Sequence, residues 1–152
     1  VTAPNRFSVM RLQSLCLRAL LGLVAIYHLV LGLLGLFARQ QAPELARTFF
    51  RFRLSGSPET LWLLNPFSAY LLAFGAATAV SAWKPARFRP LVFVVVGLFT
   101  LRIVQRLVFL IAADDSLKAA VSPVQNVIHL CVVAALAAAI LALALRSPSK
   151  TP

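Results

Sequence analysis

Two arginines one helical turn apart sit inside an apolar run of this 152-residue chain, in the string Leu101-Arg102-Ile103-Val104-Gln105-Arg106. Arg102, Gln105 and Arg106 fall at i, i+3 and i+4, which is a single helix face. A guanidinium is a permanent cation that only donates hydrogen bonds, so its chemistry is recognition of carboxylate, phosphate or carbonyl oxygen rather than proton transfer. Gln125, Asn126 and His129 lie within about one turn at the start of a later apolar run, while Asn65 and His28 occupy two others. Arg102, Gln105, Arg106, Asn126, His129 and Asn65 together form a candidate polar cluster contacting a partner subunit, a lipid head group or a small ligand.

Other chemistry is thinly represented. Ser, His and Asp do not form a triad pattern, no paired carboxylates occur in an apolar run, and no glycine-rich phosphate loop is present, so the chain is not expected to be an enzyme. No Cys/His spacing suggests a metal site. His28 and His129 are candidate axial ligands for haem b or a pigment, because membrane bundles can hold such groups between facing helices, and a quinone could join the arginines. The two histidines differ in depth by about 8 Å at 1.5 Å per residue, which counts against a shared haem. Cys16 and Cys131 are expected at opposite depths, unbridged, as small buried hydrophobes.

The elements that must position these residues follow from composition. The chain is 61% hydrophobic and 12% charged, with a mean hydropathy of +0.88. That apolar excess is too large for a short domain to bury in water, and it excludes disorder. Runs 19–38, 61–83, 91–113 and 124–145 are each long enough to cross a bilayer, which takes about 20 helical residues. The expected fold is therefore all-α: a four-transmembrane-helix bundle, a single integral membrane domain over 1–152. Trp62 and Trp83 are about 31 Å apart on a helix, matching two interfacial belts. Asn65-Pro66 lies between them, either starting a helix or kinking a continuous one. Ala25, His28, Gly32 and Gly35, and likewise Ala134, Ala138 and Ala142, make small-residue faces suited to close helix packing.

Orientation follows from basic flanks. Arg6, Arg11, Arg18, Lys84, Arg87, Arg89, Arg146 and Lys150 outnumber Arg39, Arg47, Arg51, Arg53 and Lys118 on the other side, so both termini are expected in the cytoplasm. No A-x-A site follows the first run, so a removable signal peptide is not expected. In the first outer loop, Leu45, Phe49 and Phe52 share one face and Glu44, Arg47 and Arg51 another, predicting a short amphipathic interfacial helix over 44–54. Arg47, Phe49, Arg51 and Phe52 are its candidate interfacial or partner contacts. The net charge of +11 is distributed in gaps between apolar runs, which suits topology and anionic lipid head groups, and nucleic acid is not an expected partner.

Tyr70-Leu71-Leu72-Ala73-Phe74-Gly75, Trp83-Lys84-Pro85 and the 101–106 string resemble small bacterial four-helix membrane proteins of the DoxX-like and BphX-like type. The resemblance covers mainly the second and third runs and implies an association with oxidoreductase complexes or degradation operons, with no catalytic residue to carry over. The chain's four carboxylates, Glu44, Glu59, Asp114 and Asp115, all lie outside the four runs. With about 12 Å separating Asp114 from Arg106 along a helix, the arginines are expected to need a counter-group from outside the chain. The expected function is a non-catalytic accessory or structural subunit of a larger bacterial inner-membrane complex, one carrying electron transfer in the reading the resemblance suggests. Its partners would be the lipid bilayer and other membrane subunits. The alternatives are a haem-, pigment- or quinone-binding subunit and a small lipid or anion carrier.

Overall fold

The computed structural model describes residues 6–146, the side chains at 6–9, 49–50 and 116–117 lying outside the described set. The chain runs through α1 (Arg6–Phe37), a 3₁₀ turn at Arg39–Gln41, α2 (Ala42–Phe50), α3 (Pro58–Trp83), α4 (Arg89–Ala112), α5 (Asp115–Ala120) and α6 (Pro123–Arg146). Proline punctuates it: α2, α3 and α4 carry proline in the first turn and α6 opens on Pro123. Proline is tolerated there because first-turn N–H groups have no intrahelical acceptor and its φ already suits a helix. Ser57 adds a cap to α3, its Oγ accepting from the Thr60 backbone N–H at 3.3 Å.

α1, α3, α4 and α6 are long and apolar enough to cross a membrane, and only 11% to 28% of the most apolar window of each is buried within the bundle. The protein is thus an all-α integral membrane bundle whose outer surface is made for lipid. Trp62 and Trp83 are 66% and 68% exposed at opposite ends of α3, and the Lys84 ammonium lies 4.5 Å from the Trp83 ring. Both tryptophans therefore have the exposure expected of interfacial belts. α3 is continuous through Pro66, with Ser57 rather than Asn65 at its start, which resolves the two readings of Asn65-Pro66.

The helices pack around a square: α1 on α3, α3 on α4, α4 on α6 and α6 on α1, leaving α1 and α4 across one diagonal. The α1–α3 contact is the most extensive, and small residues are the cause. A Cβ built on Gly32 would stand 2.7 Å from Leu72 Cγ, one on Gly75 2.8 Å from Leu29 Cγ, and one on Gly35 would strike the Ser68 hydroxyl. The face through Ala25, His28, Gly32 and Gly35 therefore meets α3. The opposing face, with buried Ser68, Leu71, Gly75 and Thr78, was not anticipated from sequence. In α6 the buried face is Asn126, Ala137, Ile140 and Ala144, not the expected Ala134, Ala138 and Ala142, of which the last two are exposed. Helical phase decides this: once Asn126 turns inward, residues at multiples of about 3.6 follow it.

The interior has two tiers. In the half nearer the termini, Leu17, Leu21 and Val24 of α1, Val92, Val95 and Phe99 of α4, and Ala137, Ile140 and Ala144 of α6 form one apolar core. Above it, toward the α2 and α5 loops, the same helix faces turn polar. Those two loops are tied together by the antiparallel bridge Phe52–Val121, with the Arg53 N–H donating to the Ala120 carbonyl at 3.0 Å. The interfacial helix is shorter than the expected 44–54. It ends at Phe50, and Arg51 turns left-handed at φ 51°, so Phe52 leaves the helix for the bridge. Cys16 and Cys131 are unbridged and both exposed, correcting the expectation of burial.

The tight glycines and the open ones make opposite predictions. Gly32→Ala and Gly75→Ala should destabilise the bundle by about 1–3 kcal/mol through overpacking. Gly97→Ala, with nothing near its Cβ, should be neutral or stabilising by up to about 1 kcal/mol. Unfolding in mixed detergent micelles, followed by circular dichroism, measures all three.

Candidate functional site

His28 is held first by its own helix. Its Nδ1–H donates to the Val24 carbonyl one turn earlier, at 2.7 Å, which leaves Nε2 as an acceptor. The ring is 2% exposed and packed by aromatic groups from three helices. Tyr27 of α1 meets it edge-on at 5.1 Å, Phe74 of α3 at 4.6 Å and 81°, and Phe99 of α4 lies tilted at 6.4 Å. Phe74 and Phe99 also contact one another, at 6.3 Å, so His28 sits on a small aromatic floor. Edge-on placement sets the positive ring edge against a negative face, which favours this orientation.

Arg102 of α4 crosses the diagonal from above that floor. Its Nη1 lies 3.4 Å from His28 Nε2, a long contact by hydrogen-bond standards. One turn further toward the loops, Arg106 Nη1 donates to Asn126 Oδ1 at 2.7 Å, and Asn126 Nδ2 donates back to the Arg106 carbonyl at 3.2 Å. The reciprocal pair settles the amide's orientation, because only the oxygen can accept from a guanidinium. Asn126 is 4% exposed, so its two bonds are made away from water. The α4 stripe Phe99, Arg102, Arg106 thus faces inward and reaches α1 with one arginine and α6 with the other.

The electrostatics of this tier are lopsided. Both arginines are half-buried, the groups bonded to them are neutral, and Arg106 stands in the field of Arg102. Tyr27 lies within electrostatic reach of both guanidinium groups, and half-buried His129 within reach of Arg106. Two cations on the inward face of α4 therefore have imidazole and amide partners, with the Tyr27 hydroxyl in their field. Chemically, such a tier can receive an oxyanion, for which paired guanidinium groups are well suited.

Of the residues expected from sequence, Arg102, Arg106, Asn126, His129 and His28 converge. Gln105 does not: it is exposed on the outer side of α4, because an offset of three residues from Arg102 in that direction rotates it out of the inward stripe. Asn65 is half-buried on α3, but nine residues from Phe74 place it about 13 Å along the axis from the His28 level. Tyr27, Phe74 and Phe99 were missed. Phe99 carried a readable signal, three residues before Arg102 on the same face, whereas Phe74 faces His28 only because α3 packs so closely on α1.

At the interfacial helix, Arg47 and Arg51 are exposed and Phe52 is half-buried in the loop bridge, while the side chain of Phe49 lies outside the described residues. Haem or pigment ligation at His28 is opposed by its surroundings and not by its tautomer. Nδ1 donates to a backbone carbonyl, as in many metal-ligating histidines, but the Nε2 lone pair faces the Arg102 guanidinium at 3.4 Å within an aromatic enclosure. Among the described residues, no group of three or more His, Cys, Asp or Glu side chains is placed to hold a metal ion.

No protein-family model, no curated protein and no solved structure matches this chain.

Removing one side of the reciprocal pair tests that geometry. Asn126→Ala should lower stability by about 1–3 kcal/mol, because Arg106 and its carbonyl each lose a bond. A double-mutant cycle with Arg106→Gln should show a coupling of about 0.5–3 kcal/mol, read from detergent unfolding midpoints.

Proposed function

We propose that this chain is a non-catalytic accessory subunit of a larger membrane complex, which it joins inside the bilayer. The observation that carries this reading is the arginine tier, where Arg102 and Arg106 are bonded to the neutral groups of His28 and Asn126. A mid-membrane arginine is unfavourable by roughly 2.5–3.5 kcal/mol on insertion scales, and neutral acceptors offset that only in part. An acidic side chain on a partner helix would complete the neutralisation. The spans support the same reading, since apolar faces such as Leu101, Val104 and Val108, on the side of α4 turned away from the arginines, stay exposed. They offer a partner helix an apolar surface to pack against.

The finer setting belongs to the same proposal. The excess of basic residues on one side of the spans favours both termini in the cytoplasm of a bacterium, with the bundle in its inner membrane. The resemblance to DoxX-like and BphX-like proteins favours a complex engaged in electron transfer, with redox chemistry carried by its other subunits.

Purification in a mild detergent should return a hetero-complex. The double variant Arg102→Gln/Arg106→Gln should still insert, with unchanged helix content, yet lose the companion subunit, since truncating one side of a desolvated charge pair weakens association by about 2–5 kcal/mol. A lone, monodisperse chain that fulfils its cellular role would overturn the proposal.

A further inference from the structure

The loop end of the bundle carries a second polar site, separate from the arginine tier and independent of the subunit reading. A groove of about 430 Å³ opens between α2 and the chain returning to α3, lined by Pro43, Glu44, Arg47, Arg53 and Leu54. We propose that this groove is a binding site for a phosphoethanolamine lipid headgroup, the phosphate on Arg47 and Arg53 and the ammonium on Glu44.

The groove exists because of one unusual backbone turn. Arg51 adopts φ 51° and ψ 34°, the one positive φ among the described non-glycine residues. The left-handed conformation is disfavoured for a residue with a Cβ, and helix ends that need it usually use glycine. Here the turn is locked by the Phe52 N–H donating to the Ala46 carbonyl at 3.1 Å, and the next residue is pinned to α5 through the Ala120 carbonyl. The chain thereby doubles back, and Arg53, which a continued helix would carry away from α2, lines the same groove as Arg47. Backbone strain retained where the surrounding structure enforces it is a mark of functional sites.

The charge set then selects the ligand. Glu44 and Arg47 are three apart on α2, neighbours about 5–6 Å apart at Cβ. Glu44, Arg47 and Arg53 are exposed, and their side chains form no hydrogen bond or ion pair among the described residues. Two guanidinium groups can share the oxygens of one phosphodiester while the carboxylate takes one ammonium, so each charge of the zwitterion finds an opposite one and the occupied site keeps a net charge of +1. Guanidinium pairs match phosphate oxygens in a planar, forked geometry. A glycerol headgroup offers Glu44 no cation, and a trimethylated choline offers it no N–H donor. Placement agrees, because α2 lies between the end of α1 and the start of α3, at the loop end of two spanning helices. Leu54 and Pro43 supply an apolar margin to the groove.

Native mass spectrometry of the full chain, released from vesicles with equal amounts of phosphatidylethanolamine, phosphatidylglycerol and phosphatidylcholine, tests this. The wild-type chain should retain phosphatidylethanolamine preferentially. Arg47→Gln and Arg53→Gln should each lower that retention roughly fivefold, the effect of one basic residue at a lipid surface. Glu44→Gln should keep phosphate binding but erase the preference over phosphatidylglycerol. All three positions are exposed, and circular dichroism confirms that each variant is folded. Displacement of the lipid by soluble glycerophosphoethanolamine would assign the same chemistry to a water-soluble source, and resistance to it assigns the site to the bilayer. Equal retention of the three lipids, or a preference that survives all the substitutions, would overturn the proposal.

Discussion

A guanidinium placed in a low-dielectric slab must be surrounded by lone pairs, and this bundle is arranged around that requirement. α4 supplies two such cations on its inward stripe, and each is served by a different neighbour. Arg106 and Asn126 satisfy one another in both directions, side chain to side chain and side chain to backbone. Arg102 depends on a longer relay, since His28 can present a nitrogen lone pair only because the other ring nitrogen is committed to Val24. Such linked bonds strengthen one another where water is scarce, and an incomplete set is correspondingly costly. The apolar core is confined to the opposite half of the bundle, so dry packing and polar networking are separated along the membrane normal.

Two kinds of helix contact hold the square together. α1 and α3 approach through glycine and serine, and the hydroxyls of Thr78 and Ser81 bond to carbonyls one turn back on α3 itself. That contact is built from van der Waals packing, the main force available when lipid tails are as apolar as leucine. α4 and α6 instead share a polar pair at one end and alanine and isoleucine packing at the other. Across the diagonal, α4 meets α1 through side chains, Arg102 over His28 and Phe99 beneath it.

Much of this was legible in the residues. The four spans follow from run length and charge spacing, and proline marks the starts of the helices because each sits where an N–H is spare. The inward arginines could be inferred from their spacing and from the unfavourable energy of the alternative. The phase of α6 and the end of α2 could not. Ala134, Ala138 and Ala142 and the true inner positions differ only by rotation of an alanine-rich helix, and Asn126 fixes that rotation through a partner on another span. Likewise 44–54 reads as one amphipathic helix until Arg51 reverses the chain, a turn stabilised by pairing with a segment some seventy residues later. Gln105 shows the limit from the other side. Polar type and helical spacing placed it with the arginines, yet the inward stripe admits Arg102 and Arg106 and leaves it outside.

The most closely packed helices, α1 and α3, also precede α4 and α6 along the chain. Synthesis proceeds from the N-terminus, so a glycine-lined hairpin can assemble while α4 is still being made. His28 and Phe74 both precede Arg102 in the chain, so a hairpin formed in that order would offer the later cation a prepared acceptor instead of bare hydrocarbon. Asn126 arrives last, to take up Arg106. The order of the spans along the chain is thus also an order of rescue, in which each hazardous residue is followed or preceded by the group that shelters it.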